Sequence, residues 1–182
     1  MIRFDFFYKA VWVLRALLLK PFFGSLGLYS YIGKPIFLFG INRIFLGNRV
    51  RIFPNSRIEV YNAGTLSVGN NVSIGQSFHA ICSDKVTISE GALISANVFI
   101  TDTNHIFDDL SLPVHAQPNT SVPTFIGRNC FIGYGVVVQA GTTLGDNCVV
   151  GANSTIKGVY AAGSVIVGSP GRVIKTRVQQ SK

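Results

Sequence analysis

The chain has few cysteines, few acidic residues and no apolar run long enough to cross a bilayer. Its three cysteines, Cys82, Cys130 and Cys148, include no CxxC pair and are odd in number. They read as buried packing residues in a reducing compartment rather than as a disulfide framework. Asp and Glu together number 8 against 16 Lys and Arg, a net charge of +8. Such an excess favours anionic partners: nucleic acid, a membrane surface or a polyanionic cofactor. The basic residues are scattered, and no helix-turn-helix, zinc-finger or RNP-type motif is present, so nucleic acid is not expected as a partner. The apolar stretch Ala10–Leu19 contains Arg15 and falls short of the roughly 20 residues a membrane span needs. No small-x-small cleavage site follows it; Lys20-Pro21-Phe22 is a poor one. At 182 residues the chain should form one domain with a terminal appendage.

What is present is a strict period of six. Branched aliphatic residues recur at Ile126, Ile132, Val138, Leu144, Val150 and Ile156. Glycine follows four of them, at 127, 133, 145 and 151. Cys130, Val136, Cys148 and Ser154 mark a second inward position, mostly small or β-branched. A helix repeats every 3.6 residues and a strand every 2. A period of six instead predicts a β-solenoid, one short strand and one corner per unit. The aliphatic residue points into the prism. The following residue meets a tight corner, where glycine has no Cβ to clash. The fold expected is the all-β left-handed parallel β-helix of hexapeptide repeats. A sandwich would show alternation between turn clusters instead.

The same rule holds at Val68, Ile74 and Ala80, at Ile88, Ile94 and Ile100, and more loosely at Leu46, Ile52 and Ile58. About four extra residues bulge near Asn62-Ala63-Gly64, and two near Ser83-Asp84-Lys85. From Ile100 to Ile126 the step is 26 residues where six are expected. A loop this long in a regular scaffold is usually functional. The domain plan is therefore an apolar and basic helical segment over 1–28, a β-helix over 29–175 with an inserted loop at 105–124, and a polar tail over 176–182. The helix should end before Pro21. It has two available roles, capping the open end of the solenoid or anchoring at a lipid interface.

The run ITDTNH, the proline-rich loop, IGRNCFIGYGVVVQAGTTLGDNCVVGANSTIKG and GSPGRVIK together resemble the hexapeptide-repeat acetyltransferases. The resemblance covers roughly residues 68–175 and is strongest to the sugar O-acetyltransferase branch, including galactoside acetyltransferases. It extends to the streptogramin acetyltransferases. It implies a homotrimer of parallel prisms, with acetyl-CoA as co-substrate in the groove between two of them and no metal. It also implies that His105, at the mouth of the loop, is the general base. An imidazole can take the proton of an attacking sugar hydroxyl and pass it to the leaving thiolate.

Asp84, on the two-residue bulge, matches an acidic residue that helps bind the acceptor in the galactoside enzymes. His79 occupies the same place in its hexapeptide as His105 and is a candidate for the acceptor end. Asn104 and Asp102 precede His105 and could orient its ring. His115 reads as a polar loop residue. For the cofactor, Lys157, Arg172 and Lys175 are candidates for the phosphates, and Gly133, Gly135, Ala140 and Gly151 for close approach of the pantetheine arm. Phe131 stands where the family often has tryptophan, which removes an indole N–H.

The expected function is O-acetylation, from acetyl-CoA, of a sugar in a bacterial surface polysaccharide or its precursor. The expected location is cytoplasmic, with peripheral contact at the inner face of the membrane through the N-terminus. The alternatives are N-acetylation of a nucleotide-linked amino sugar, a drug-modifying acetyltransferase, and a non-enzymatic scaffold. The zinc enzymes of this fold need three converging histidines. The gaps here, His79 to His105 and His105 to His115, do not fit them. Serine acetyltransferase is disfavoured because its large helical N-terminal domain is missing.

Overall fold

The computed structural model describes residues 4–178, with side chains from Tyr8 onward. It is a prism of three parallel sheets wound by one chain into a left-handed β-helix. The first face carries seven strands, from Ser25–Leu26 to Val159–Tyr160. The second carries eight, from Tyr31–Ile32 to Arg172–Thr176. Only its last pair, Ser164–Val167 with Arg172–Thr176, is antiparallel. The third carries six: Phe37–Phe39, Arg57–Val60, His79–Cys82, Phe99–Thr101, Val137–Val138 and Thr155–Ile156.

The register follows the six-residue rule. Ile58 pairs with Ala80, Ala80 with Ile100, Ile100 with Val138 and Val138 with Ile156. All five are buried and form one internal ladder. The second inward positions, Cys130, Val136, Cys148 and Ser154, are buried as expected. The three cysteines are free. The Cys130 thiol donates to the Gly145 carbonyl and the Cys148 thiol to that of Ala161. Burial pushes the Cys130 thiol up to about 12, so it is an inert packing group.

The corner excludes a Cβ as expected, and the atoms it would meet belong to the next coil. Gly133 is required by stacking: a Cβ there would lie 2.6 Å from the Ala152 amide of the next coil. The left-handed residue comes two positions later, at Gly135 (φ 67°), and equivalent corners use Asn71, Asn97, Asn129, Asn147 and Asn153. Asparagine tolerates this region better than other side chains. Asparagine two residues after the glycine is thus a second mark of the repeat.

The solenoid also starts earlier than residue 29. Ser25–Leu26 already pairs with Phe45–Leu46, and Tyr31–Ile32 with Arg51–Ile52. Strands Ser25–Leu26, Tyr31–Ile32 and Phe37–Phe39 therefore form a complete first coil, bulky on its outer surface. Helix α1, Phe4–Leu19, precedes it and passes into a short 3₁₀ turn, Lys20–Phe22. Pro21 has no N–H to continue an α-helix and restricts Lys20. The helix lies against the second face, where Trp12 meets Tyr31 at 5.8 Å and Phe53 edge-on at 5.6 Å. Ala16 is buried there. Leu14, Leu17 and Leu18 face outward, 58–68% exposed. No helix among the described residues is long and apolar enough to cross a membrane. Thr176 ends the last strand, and residues 179–182 of the expected tail lie outside the described residues.

Candidate active site

The inserted loop is built on an antiparallel hairpin. Thr103–His105 pairs with Asn119–Ser121, and His105 stands opposite Asn119. The chain leaves the prism after Thr101 and rejoins it at Thr124. His105 therefore ends a strand rather than opening an irregular segment. Thr124 Oγ1 donates to the Thr101 carbonyl at 2.8 Å and closes the neck. Further out, Gln117 is buried. Its side chain accepts from the Asp109 amide and donates to the Asp109 and Leu112 carbonyls. Nothing in the sequence singled out Gln117, because an isolated glutamine in a polar loop carries no periodic signal.

Between the hairpin and the third face lies a cavity of about 640 Å³. Thr103, Asn104 and His105 form one wall with Asn119 and Ser121. Phe99, Thr101, Val137 and Gln139 form the floor, and Ile81, Ser83, Tyr61 and Asn62 the far side. The His105 side chain is exposed. Hydroxyls, amides and one imidazole thus meet a floor in which Phe99 and Val137 supply the apolar surface. That is the mixed character of a site for a polar organic molecule with apolar faces.

The structure assigns Asp102 to a different task from holding the ring of His105. It is fully buried. Its carboxylate accepts from the backbone amides of Ser83 (2.8 Å) and Asp84 (2.9 Å) and from Thr103 Oγ1 (2.8 Å). The root of the hairpin is thereby tied to the two-residue bulge. Ser83 lines the cavity, while Asp84, beside it, is exposed and outside the lining.

His79 lies on the outer surface of the third face, one strand from Phe99, its ring 4.9 Å from that of Phe99. It is not in the cavity wall. Its Nε2 meets Glu59 Oε1 at 3.3 Å. Glu59 is almost wholly buried and also accepts from Arg57 Nε and Tyr61 Oη, each at 2.5 Å. The Arg57 hydrogen bond, with those of Tyr61 and His79, holds the Glu59 carboxyl at about 2.

Because this is below its unfolded value of about 4.3, the stabilisation is complete above pH 4.3 and is lost as pH falls towards 2. Wild type should therefore lose stability in that window, of order 2 kcal/mol. In Glu59→Gln that part of the pH dependence should vanish, as read by urea melts between pH 5 and 2.5. An unchanged slope would remove the carboxylate from this account.

His115 sits on the exposed 3₁₀ turn Val114–Ala116. Among the described residues, no three His, Cys, Asp or Glu side chains are grouped to hold a metal ion. The coils after the loop continue the floor of the cavity, with Val137 pairing with Thr155 on the last strand of the third face. Lys157 follows that strand and is exposed. The turn at 168–171 folds over it: the Thr155 amide donates to the Gly168 carbonyl, and the Gly171 amide to that of Thr155. Arg172 leaves this turn, and Lys175 lies further along the same edge strand beside Val165. Lys157 therefore follows the last strand of the third face, while Arg172 and Lys175 lie on the last strand of the second face, Arg172 directly after the turn bonded to Thr155. Gly133, Gly135 and Gly151 face the next coil, where a Cβ would lie under 3 Å from its atoms. The Ala140 side chain is buried.

Comparison with known proteins agrees with this fold. The family described as hexapeptide repeat of succinyl-transferase matches residues 123–157. A putative lipopolysaccharide biosynthesis O-acetyl transferase of Escherichia coli is 32% identical over 69% of this chain and 68% of its own length. The dTDP-4-amino-4,6-dideoxy-D-glucose acyltransferase of E. coli is 31% identical over 85% of this chain and 83% of its own. Two further acetyltransferase relatives are spanned over only 55% and 56% of their length. Among solved structures, a galactoside acetyltransferase in complex with coenzyme A superposes with a TM-score of 0.63, at 25% identity, over 89% of this chain and 69% of that one. A solenoid in register from end to end, interrupted once by a histidine-bearing hairpin, and two relatives above 30% identity matched over more than two thirds of their length lead to one assignment. The chain belongs to the hexapeptide-repeat acetyltransferase family.

Proposed function

We propose that the protein transfers acetyl from acetyl-CoA to a sugar hydroxyl of a surface polysaccharide or its precursor, with His105 as general base. The observation that carries this reading is His105, exposed at the end of a hairpin strand and forming one wall of a cavity of about 640 Å³. Asn104, Asn119, Ser121 and Ser83 supply hydrogen bonds for hydroxyls, and Phe99 offers a face for the apolar side of a pyranose. Asp84 follows Ser83 of the cavity lining and would meet the acceptor from the bulge.

Acetyl-CoA fits the remainder of the third face. Its thioester would lie at the cavity. Its arm would pass Val137 and Thr155, along the coils that hold Gly133, Gly135, Ala140 and Gly151. Its phosphates would meet the cations Lys157, Arg172 and Lys175. In the reaction the acceptor oxygen attacks the thioester carbonyl while His105 takes its proton. The tetrahedral oxyanion is stabilised by a backbone N–H of a neighbouring prism in a homotrimer. Collapse breaks the C–S bond, and the imidazolium returns the proton to the thiolate.

The test is the product formed from carbonyl-labelled acetyl-CoA and a panel of hexoses, nucleotide amino sugars and glycan oligosaccharides. A base-labile acetyl ester supports O-transfer. A base-stable amide on an amino sugar would replace it with N-transfer.

The exposed leucines of α1, with Phe22 and Lys20 beyond them, support peripheral contact at the cytoplasmic face of an anionic membrane. The protein should sediment with vesicles containing phosphatidylglycerol. Leu14→Ser/Leu18→Ser should abolish this while leaving thermal stability within about 1 kcal/mol, as for exposed positions. Equal sedimentation of that variant would end the membrane assignment.

A further inference from the structure

The cavity beside His105 does not end the features suited to a carbohydrate. Along the outer surface of the third face, Phe37 pairs with Arg57, Arg57 with His79, His79 with Phe99 and Phe99 with Val137. In the neighbouring row, Phe39 pairs with Glu59 and Glu59 with Ile81. Phe39 lies 5.0 Å from Tyr61, Phe37 stacks nearly parallel to Phe39 at 6.5 Å, and the Arg57 guanidinium sits 5.8 Å over Phe37. Phe37, Phe39 and Tyr61 are 38–45% exposed. Tyr61 also lines the cavity that holds His105. The aromatic strip is therefore continuous with that cavity, and the row beyond Phe99 of its floor runs to Phe37 on the first coil over three strand spacings, roughly 14 Å.

The strip is interleaved with fixed polar groups. Buried Glu59 holds Arg57, Tyr61 and His79 at once. Only the folded register shows that Phe37, on the first coil, continues the floor of the site three coils away. Rings for the apolar faces of pyranoses, alternating with anchored hydrogen-bonding groups, are the chemistry of an oligosaccharide track.

We infer that the strip Phe37, Phe39 and Tyr61, braced by Glu59, binds the sugar units of an extended glycan acceptor that lie beyond the one acetylated. The inference rests on the transferase reading and narrows it: the preferred acceptor is an oligosaccharide or lipid-linked chain rather than a free monosaccharide. The contribution is to acceptor binding, so it should be expressed in affinity and KM rather than in kcat.

The test is binding of the intact protein to an array of bacterial surface glycans of one to six sugars, with affinities of responding glycans taken by calorimetry. Wild type, Phe39→Ala, Tyr61→Phe and Tyr61→Ala are compared, with assembly state measured by analytical ultracentrifugation. Affinity should rise with chain length in wild type. In Phe39→Ala and Tyr61→Ala it should fall roughly tenfold for the longer glycans, the scale of one lost aromatic contact. In Phe39→Ala, whose side chain lies outside the cavity lining, it should stay unchanged for monosaccharides, and Tyr61→Phe should retain most of the preference for length.

Three results would overturn the inference. These are affinity independent of length, no binding of any oligosaccharide at millimolar concentration, and a changed assembly state in the alanine variants. The last would make the strip an interface between copies of the chain. Thiol release and its dependence on His105 are measured separately, so failure of the track is distinguishable from failure of the transferase reading.

Discussion

Replacing His105 by alanine should lower kcat by about 10² to 10⁴, the usual contribution of a positioned acid–base group. Stability should hardly change. The side chain is exposed at the end of a two-stranded hairpin, where substitutions commonly stay within about 0.5 kcal/mol. His105→Gln keeps the polarity and part of the volume but cannot carry the proton, so it should be as inactive as alanine. The measurement is steady-state thiol release at saturating acetyl-CoA, with thermal unfolding as the control. Loss of activity accompanied by unfolding would not count for the base. Retention of activity within about threefold, well below the usual effect of a general base, would transfer the role to another group, with His79 the first alternative.

The largest effect on stability away from the hydrophobic ladder should come from Asp102→Ala. Its buried carboxylate accepts three hydrogen bonds, two of them from backbone amides at the bulge. Alanine would leave the Ser83 and Asp84 amides without these partners. Each such loss costs about 1–3 kcal/mol, so the variant should be destabilised by about 3 kcal/mol or more. Asp102→Asn is the sharper test. One amide oxygen can replace one carboxylate oxygen, but the other position now presents N–H to N–H. Its destabilisation should be smaller than that of alanine and larger than about 1 kcal/mol. Because Asp102 joins the hairpin root to the bulge beside Asp84, both variants should raise the KM for acceptor more than that for acetyl-CoA. Urea unfolding and the two KM values decide the matter. An Asp102→Asn variant as stable as wild type would remove the strut from this account.

The division between what sequence carried and what it did not has a physical basis. A stacked coil imposes the same environment every eighteen residues, so Ile132, Val150 and their neighbours declare the fold one unit at a time. Cys130 and Cys148 could be read as packing residues for the same reason. The first coil was harder to read. Leu26, Ile32 and Leu38 keep the six-residue step, but Phe37 and Phe39 on its outer surface and the extra turn at Ile41–Arg43 obscure it.

The site shows a similar split. His105 is marked by its position at the one long interruption. Asp102 is marked too, but the role expected of it was wrong, since sequence adjacency to His105 suggested contact with the ring. The register instead places it one coil above Ser83 and Asp84, and its hydrogen bonds go there. Glu59 escaped notice altogether. It occupies an outward position where a charge is ordinary, and only the folded face brings Arg57, Tyr61 and His79 around it. Gln117 is the same kind of omission: loops have no period, so a residue that organises one leaves no trace in the pattern.

The central claim is an acceptor-dependent acetyl transfer at the cavity beside His105. Its most direct test is release of CoA thiol from acetyl-CoA by the intact protein, with and without surface-glycan oligosaccharides. The expected result is slow release without acceptor, an acceptor-dependent rise, and loss of that rise in His105→Ala. Absence of both thiol release and acetyl-CoA binding with every acceptor would contradict it and leave a solenoid that serves as a scaffold.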